Sequence, residues 1–359
     1  MYIKKLNLTN FRNYKNESLE FKNGLNIIYG LNGQGKTNII EAIYFFQSGR
    51  SYRALKDREC VKFGEDYSKI EANFEKSAGK SDSLIFLSDS KSVKINGCLI
   101  DRLSEIVGEY NIVIFTPDYL NLIKEGPGVR RQFIDSFVSQ IKPVYFKNLI
   151  NYYRILKQRN NLLKQKRGLI EETLFVWDEK LASLGVEICA MRESAIEKIN
   201  DTVNLSDLEN EKTEKIRLSY LPSIKGDFKN KEYFMEFLKS NHERDMEKGI
   251  TLFGPHRDDF EIFMNDISLK KYGSQGQMRS CVLKLKLSEC MIIKEKTGEE
   301  PILLLDDILS ELDESRRKFF LSKIKDKQVI VTCTDKEEFF SKDSRIFKVS
   351  DGSVIIDNE

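Results

Sequence analysis

Residues 30–37 read Gly30-Leu31-Asn32-Gly33-Gln34-Gly35-Lys36-Thr37, a complete G-x-x-x-x-G-K-T loop that dictates its own surroundings. The apolar run 25–29 before it predicts a buried strand, and the periodic run 38–46 after it predicts a helix. A strand that hands over to a glycine loop, which then opens a helix, is the context the motif needs. A glycine-rich turn that carries Lys-Thr by chance predicts neither flank. Glycines let successive backbone N–H groups curl around phosphate oxygens, and the helix N-terminus adds positive potential. The ligand class that follows is a nucleoside triphosphate with Mg²⁺. Gly30, Asn32, Gly33, Gln34, Gly35 and Asn38 would line the cradle for ATP. Lys36 would reach the β- and γ-phosphates as a catalytic cation, and the Thr37 hydroxyl would ligate Mg²⁺.

At 359 residues the chain exceeds one small core and suits two domains, or one large α/β unit with an insertion. Lys plus Arg number 58 and Asp plus Glu 56, so global charge does not announce a nucleic-acid partner and any basic surface must be local. Cys60, Cys98, Cys189, Cys281, Cys290 and Cys333 show no C-x-x-C spacing, and His242 and His256 are the only histidines. This argues against a zinc site and a disulfide framework, and for a reducing cytoplasm. No signal-peptide pattern follows Met1, and no apolar run approaches membrane-spanning length, so no membrane partner is expected.

Short strand patterns fill the first part of the chain, at 2–8, 25–29, 69–74, 83–87, 92–95 and 112–115, with Asn96-Gly97 as a hairpin signal. After Gly126-Pro127-Gly128 the character turns helical over 129–206, with a strand at 214–220 and a helix at 230–247. Strand signals return after Thr251, a helix opens at Gly273-Ser274, and 301–305, 313–325 and 329–332 read as strand, helix and strand. The expected layout is an α/β domain in two pieces, 1–125 and 251–359, around a mostly helical insertion, 126–250.

Ile302-Leu303-Leu304-Leu305-Asp306-Asp307 has the form of a Walker B strand. A buried strand delivers carboxylates at its C-terminal end, where ligands sit in open α/β sheets. Asp306 would hold Mg²⁺ through its water shell, and Asp307 would orient or deprotonate the attacking water. Gly273-Ser274-Gln275-Gly276-Gln277 stands at a helix start, with Met278, Cys281, Val282 and Leu285 at helical spacing. A Ser hydroxyl and helix N-terminal N–H groups can form a second phosphate cradle; a simple capped helix would look the same.

In this order the motifs resemble the ABC superfamily of ATPases, on the branch that holds the SMC and Rad50 heads. Within it the chain is similar along its whole length to the RecF family of bacterial recombinational-repair proteins. The residues that carry this are Phe11-Arg12-Asn13-Tyr14, Asn32 to Asn38, Gly49-Arg50-Ser51-Tyr52-Arg53, Pro117-Asp118-Tyr119, Arg130-Arg131-Gln132-Phe133, Gly254-Pro255-His256-Arg257-Asp258-Asp259, Ser274 to Gln277, Asp306-Asp307 and Ser310-Glu311-Leu312-Asp313. The resemblance implies an ABC-type head domain with Arg12 beside the nucleotide. It implies that Ser274, Gln275, Gly276 and Gln277 of a second copy bind the ATP from its far side, with Ser310 and Asp313 as D-loop contacts. It further implies an ATP-dependent homodimer that clamps DNA at gaps or single-strand junctions, a weak DNA-stimulated ATPase, and work with RecR, RecO and RecA in the cytoplasm.

Two departures suggest slow hydrolysis. Thr332-Cys333-Thr334-Asp335 stands where transporter ATPases carry a switch His, and Asp307 is shorter than the usual Glu. The missing His and the lack of a convincing Q-loop Gln weigh against a transporter motor. The short insertion, without sustained heptads, weighs against an SMC-type structural protein. For DNA, 142–168 holds eight basic side chains and no acid, with Lys147, Arg154, Lys157 and Lys164 along one helix side. This reads equally as a phosphate-tracking face or as a solvated face neutralised by acids farther on. Arg50 and Arg53 are second candidates.

Overall fold

The computed structural model describes residues 1–165, 170–205, 214–308, 312–324, 326–335 and 343–357. In chain order, β1 (Tyr2–Phe11) and β2 (Tyr14–Glu20) pair, and β3 (Leu25–Tyr29) feeds α1 (Lys36–Ser48). Then come β4 (Ser68–Lys76), β5 (Gly79–Leu87), β6 (Lys91–Ile95), β7 (Cys98–Leu99) and β8 (Ile112–Phe115). Helices follow as α2 (Asn121–Lys124), α3 (Pro127–Ile141), α4 (Pro143–Gln165) and α5 (Ile170–Thr202). Next are β9 (Ile216–Leu221), α6 (Lys231–Ser240), α7 (His242–Lys248), β10 (Asp259–Met264), β11 (Ile267–Ser268) and α8 (Leu269–Tyr272). The chain ends with α9 (Gln275–Thr297), β12 (Ile302–Asp306), α10 (Glu314–Lys323), β13 (Val329–Cys333), β14 (Arg345–Ser350) and β15 (Ser353–Ile356). Residues 1–119 with 282–359 form one compact unit, and 120–281 another.

The first unit holds two sheets. One is antiparallel, in the order β2-β1-β4-β5-β6-β7; the other runs β15-β14-β3-β13-β12-β8. In the second sheet β14, β3, β13, β12 and β8 are parallel neighbours, and only β15 runs antiparallel. Parallel strands are covered on both faces, which is why Ile302 to Leu305 and Val329 to Val331 are unbroken apolar runs. Helix α1 contacts strands of both sheets. It buries Ile39, Ile40, Ala42, Ile43, Phe45 and Phe46, too wide an apolar surface for a helix with a solvent side. Each such Ile or Phe contributes roughly 1.5–3 kcal/mol of burial.

The second unit packs α3, α4 and α5 with the antiparallel sheet β11-β10-β9. The insertion expected to end at 250 therefore runs to Cys281 and includes Ser274 to Gln277. The reason is pairing: β10 joins β9 from Asp259↔Leu221 to Met264↔Ile216, which ties the returning strand to the insertion. The outer edge of β9 is closed by two asparagines, Asn200 in the last turn of α5 and Asn204 just past its end. Asn200 exchanges hydrogen bonds with the Leu218 N–H and C=O at 2.7 and 2.9 Å, and Asn204 does so with Ile216 at 2.8 and 2.9 Å. Side-chain amides thus stand in for a neighbouring strand. The helix expected over 230–247 is two helices, α6 and α7, parted at Asn241, whose Nδ2 donates to the Phe237 carbonyl. Strands β2, β14 and β15 went unread, because polar residues dominate Tyr14–Glu20 and only Tyr14 and Leu19 are buried there.

Charged residues also fill the interior of this unit. Arg159, one of the eight basic residues of 142–168, is fully buried and reaches Asp178 and Asp245 at 2.6 Å each. It belongs to the core rather than to the basic face. His256 accepts from the Tyr152 hydroxyl at 2.9 Å through Nδ1 and donates to the Thr251 carbonyl at 3.0 Å through Nε2, so it is neutral. Burial pushes its pKa down to about 4. An unfolded histidine titrates near 6.5, so the unfolded state takes up the proton first as pH falls. Stability is thus full above about pH 7 and drops by about 2 kcal/mol on reaching pH 5. Urea melts followed at Trp177 of α5 should show this slope, and His256→Gln should flatten it.

Candidate nucleotide site

The parallel sheet places three chain segments at one edge. β3 ends at Tyr29, beside Cys333 of β13, and Thr332 of β13 lies beside Asp306 of β12. The loop 30–37 leaves β3 at that edge and opens α1. Gly35 sits at φ 114°, and a Cβ there would lie 2.4 Å from Asn13 Nδ2 and 2.8 Å from the Tyr14 hydroxyl. Those groups hold the loop from outside: Asn13 Nδ2 donates to the Gln34 carbonyl at 2.8 Å and Tyr14 to the Gly35 carbonyl at 3.0 Å. Asn13 Oδ1 also accepts from Asn38 at 2.8 Å, and Gln34 Oε1 from the Asp351 N–H at 2.5 Å. Gly30, at φ 153°, passes the Val349 carbonyl, which would be 2.3 Å from an added Cβ. Gly35→Ala should therefore weaken nucleotide binding at least about tenfold, from left-handed strain plus a displaced Asn13. Equilibrium titration with a fluorescent ATP measures it.

Lys36 Nζ donates to the Gly30 and Leu31 carbonyls at 2.6 and 3.0 Å, which leaves a third N–H for a phosphate oxygen. Burial pulls its pKa below the ordinary lysine value, opposed by Asp307 and Asp306. The Thr37 hydroxyl donates to Asp306 Oδ1 at 2.9 Å, and Thr332 donates to the same oxygen at 2.8 Å. Tyr52 donates to Oδ2 at 3.3 Å. Burial raises the Asp306 pKa, and these three hydrogen bonds pull the other way. Thr332 Oγ1 also accepts the Asp307 N–H at 3.0 Å, where Asp307 turns through a left-handed φ of 51°.

This donor set fits Mg²⁺. A hydroxyl and a carboxylate converge, both hard oxygen ligands, and Mg²⁺ commonly takes one or two protein oxygens and completes its shell with water and phosphate. Among the described residues no cluster of three or more His, Cys, Asp or Glu forms a metal cage of its own. Bound there, Mg²⁺ would supply charge neutralisation of the phosphates.

Other expected residues stand as follows. Arg12, expected beside the nucleotide, has all three guanidinium nitrogens engaged: with both Glu41 oxygens at 2.9 and 2.6 Å, and with the Glu59 carbonyl at 2.8 Å. Asn32 is exposed on the loop. Ser274 and Gln277 form a reciprocal capping box at the start of α9, with Ser274 Oγ accepting the Gln277 N–H at 3.2 Å and Gln277 Oε1 the Ser274 N–H at 2.9 Å. Ser274 and Gln275 are exposed in the second unit, and Gly276 is half-buried. Ser310 lies outside the described residues. Asp313 caps α10, its Oδ1 accepting the Arg316 N–H at 2.9 Å.

Arg50 is exposed, whereas Arg53 donates to Asn38 at 3.1 Å and lies 3.6 Å from Glu41. Lys147, Arg154, Lys157 and Lys164 share one exposed face of α4, without ion-pair partners among the described residues. Val144, Ile150 and Tyr153 are exposed there too. Sequence reading missed Glu41, Tyr52 and Thr332 as site residues. A glutamate among the apolar residues of α1 is the one signal that was there, since a buried charge demands partners.

A family described as the RecF/RecN/SMC N terminal domain matches residues 2–354. The DNA replication and repair protein RecF of Clostridium tetani is 41% identical over 99% of this chain and 100% of its own. That of Acetivibrio thermocellus is 43% identical over 94% of this chain and 95% of its own. A solved structure of the recombination mediator protein RecF-ATP in the RecFOR pathway is 38% identical, with a TM-score of 0.93 over 99% of this chain and 97% of that one. The Smc head domain of Pyrococcus furiosus, with its coiled coil, shares the fold at 19% identity, 99% and 96% coverage and a TM-score of 0.57.

Proposed function

The chain belongs to the RecF family of ABC-type, SMC-like ATPases, the family of DNA replication and repair proteins, and from that premise we propose that it binds ATP with Mg²⁺ and uses it to close a homodimer on DNA. The observation that carries this is the meeting of Lys36, the Thr37 hydroxyl and the Asp306 carboxylate at the end of a parallel sheet. Two ATP molecules are bound between two copies. Gly30, Gly33, Gly35, Lys36 and Thr37 of one copy hold the phosphates, and the exposed α9 start of the other, Ser274 to Gln277, covers the γ-phosphate with N–H groups and a hydroxyl. Lys36 spreads charge from the β- and γ-oxygens, Asp306 orders the metal's water shell, and Asp307 orients the attacking water. Asp307 is a short base and no histidine follows β13, so hydrolysis is slow and weakly DNA-stimulated, and it times release. The protein acts in the cytoplasm at gapped or junction-bearing DNA, with RecR, and with RecO and RecA downstream.

Gel filtration and DNA affinity with ATP, with ADP and for Lys36→Arg test the reading. A dimer with raised DNA affinity is expected with ATP alone. A chain that stays monomeric with ATP and ignores DNA would sink it.

The exposed face of α4 is the DNA contact within this reading. Replacing Lys147, Arg154, Lys157 and Lys164 together by Ala should lower the log–log salt slope of DNA binding by roughly 3–4. ATP affinity should stay unchanged. An unaltered slope would assign that face to solvent.

A further inference from the structure

Asp306 has both carboxylate oxygens engaged. Thr37 and Thr332 share Oδ1, and Tyr52 alone is bonded to Oδ2 among the described residues. Thr37 comes with the phosphate loop and Thr332 with the sheet register; Tyr52 comes from the segment after α1 and has no place in the mechanism above. Its neighbours are tied down on both sides. Ser51 Oγ donates to Glu41 at 2.5 Å, and Arg53 donates to Asn38 at 3.1 Å. The Tyr52 ring stands edge-on to Tyr44 of α1, with centroids 5.2 Å apart. Three consecutive side chains therefore reach Glu41, Asp306 and Asn38, and the phenol is pinned by its packing as well as by its hydrogen bond.

Resting on the reading of this site as a Mg²⁺–nucleotide site, we propose that Tyr52 is a positioning residue that orients the Asp306 carboxylate for the metal's coordination shell. A carboxylate anchored through one oxygen can still rock about that anchor. A donor on the other oxygen fixes its plane, so that Oδ1 stays facing Thr37. Partners of this kind are typically worth 10–100-fold in metal affinity.

The test is equilibrium binding of a fluorescent ADP to the full chain, titrated with Mg²⁺ and repeated in EDTA, where no hydrolysis enters. Tyr52→Phe keeps the ring on Tyr44 and removes only the donor. It should raise the Mg²⁺ midpoint about tenfold or more and leave affinity in EDTA unchanged. Tyr119→Phe serves as the control. Tyr119 lies within electrostatic reach of Asp306, but its buried hydroxyl has no partner among the described residues, so the midpoint should not move. A Tyr52→Phe midpoint equal to the parent's would overturn the inference, as would an equal loss with and without Mg²⁺, which marks a structural role. A parent protein whose nucleotide binding ignores Mg²⁺ overturns the site reading itself, and this inference with it.

Discussion

Replacing Lys36 by alanine should lower the rate of ATP hydrolysis on the order of 10²–10³-fold, the usual cost of removing one preorganised group from a developing negative charge. The ammonium is held by the Gly30 and Leu31 carbonyls, 2.6 and 3.0 Å away, so it needs no reorganisation when the phosphates arrive. Its buried position makes the charge act through protein rather than through water. The released carbonyls lie on a surface loop and can bind water, so the fold should survive. An unchanged far-ultraviolet circular dichroism spectrum and an unchanged urea midpoint followed by that signal, which reports on the whole chain, are the control. Single-turnover hydrolysis with protein in excess measures the effect. Lys36→Arg should not rescue it, because a planar fork does not replace a compact ammonium turned back into its own loop. A rate within tenfold of the parent would remove Lys36 from the mechanism.

Truncating Arg192 should destabilise the second unit by about 3–5 kcal/mol, the cost of leaving buried carboxylates without their cation. The Arg192 side chain is 1% exposed and lies 2.8 Å from Asp135 and 3.4 Å from Asp258. It also donates to the Pro255 carbonyl at 2.6 Å and to the Tyr145 hydroxyl at 2.9 Å. Asp258 is shared further: it accepts the Tyr220 hydroxyl at 2.5 Å and the Ser223 N–H at 2.7 Å. One guanidinium therefore joins α3, α5 and the turn before β10. Arg192→Ala should lower the urea midpoint at Trp177, which reports on this unit alone. Arg192→Lys should recover little, since one ammonium cannot span both acids with fork geometry. A midpoint within about 1 kcal/mol of the parent would show the cluster to be dispensable.

How far the sequence could be read depended on the distance over which each feature is decided. The loop 30–37 was legible because its glycines and Lys-Thr form a local unit between a strand and a helix. The Ser274-to-Gln277 helix start was equally plain: its cap is made within four residues. Walker B was legible as an apolar run ending in two acids. By contrast, α4 shows where pattern failed. Arg159 and Lys157 are near neighbours with the same charge, yet one is fully buried and the other exposed. Asp178 and Asp245 come from α5 and α7, and nothing within α4 announces them.

The sequence by itself determined the phosphate-loop motif, the order of the motifs and the family, since these rest on backbone conformations and side-chain types that neighbouring residues enforce. Only the tertiary structure decided how the pieces meet. It brought Thr37 against Asp306 across 269 residues of chain, closed Glu41 around Arg12 and Arg53, and put Tyr52 on the second oxygen of Asp306. It also moved the end of the insertion to Cys281. The physical reason is that a buried charge or hydroxyl gains its value from partners, and partners distant in sequence are chosen by strand register and packing rather than by any local pattern.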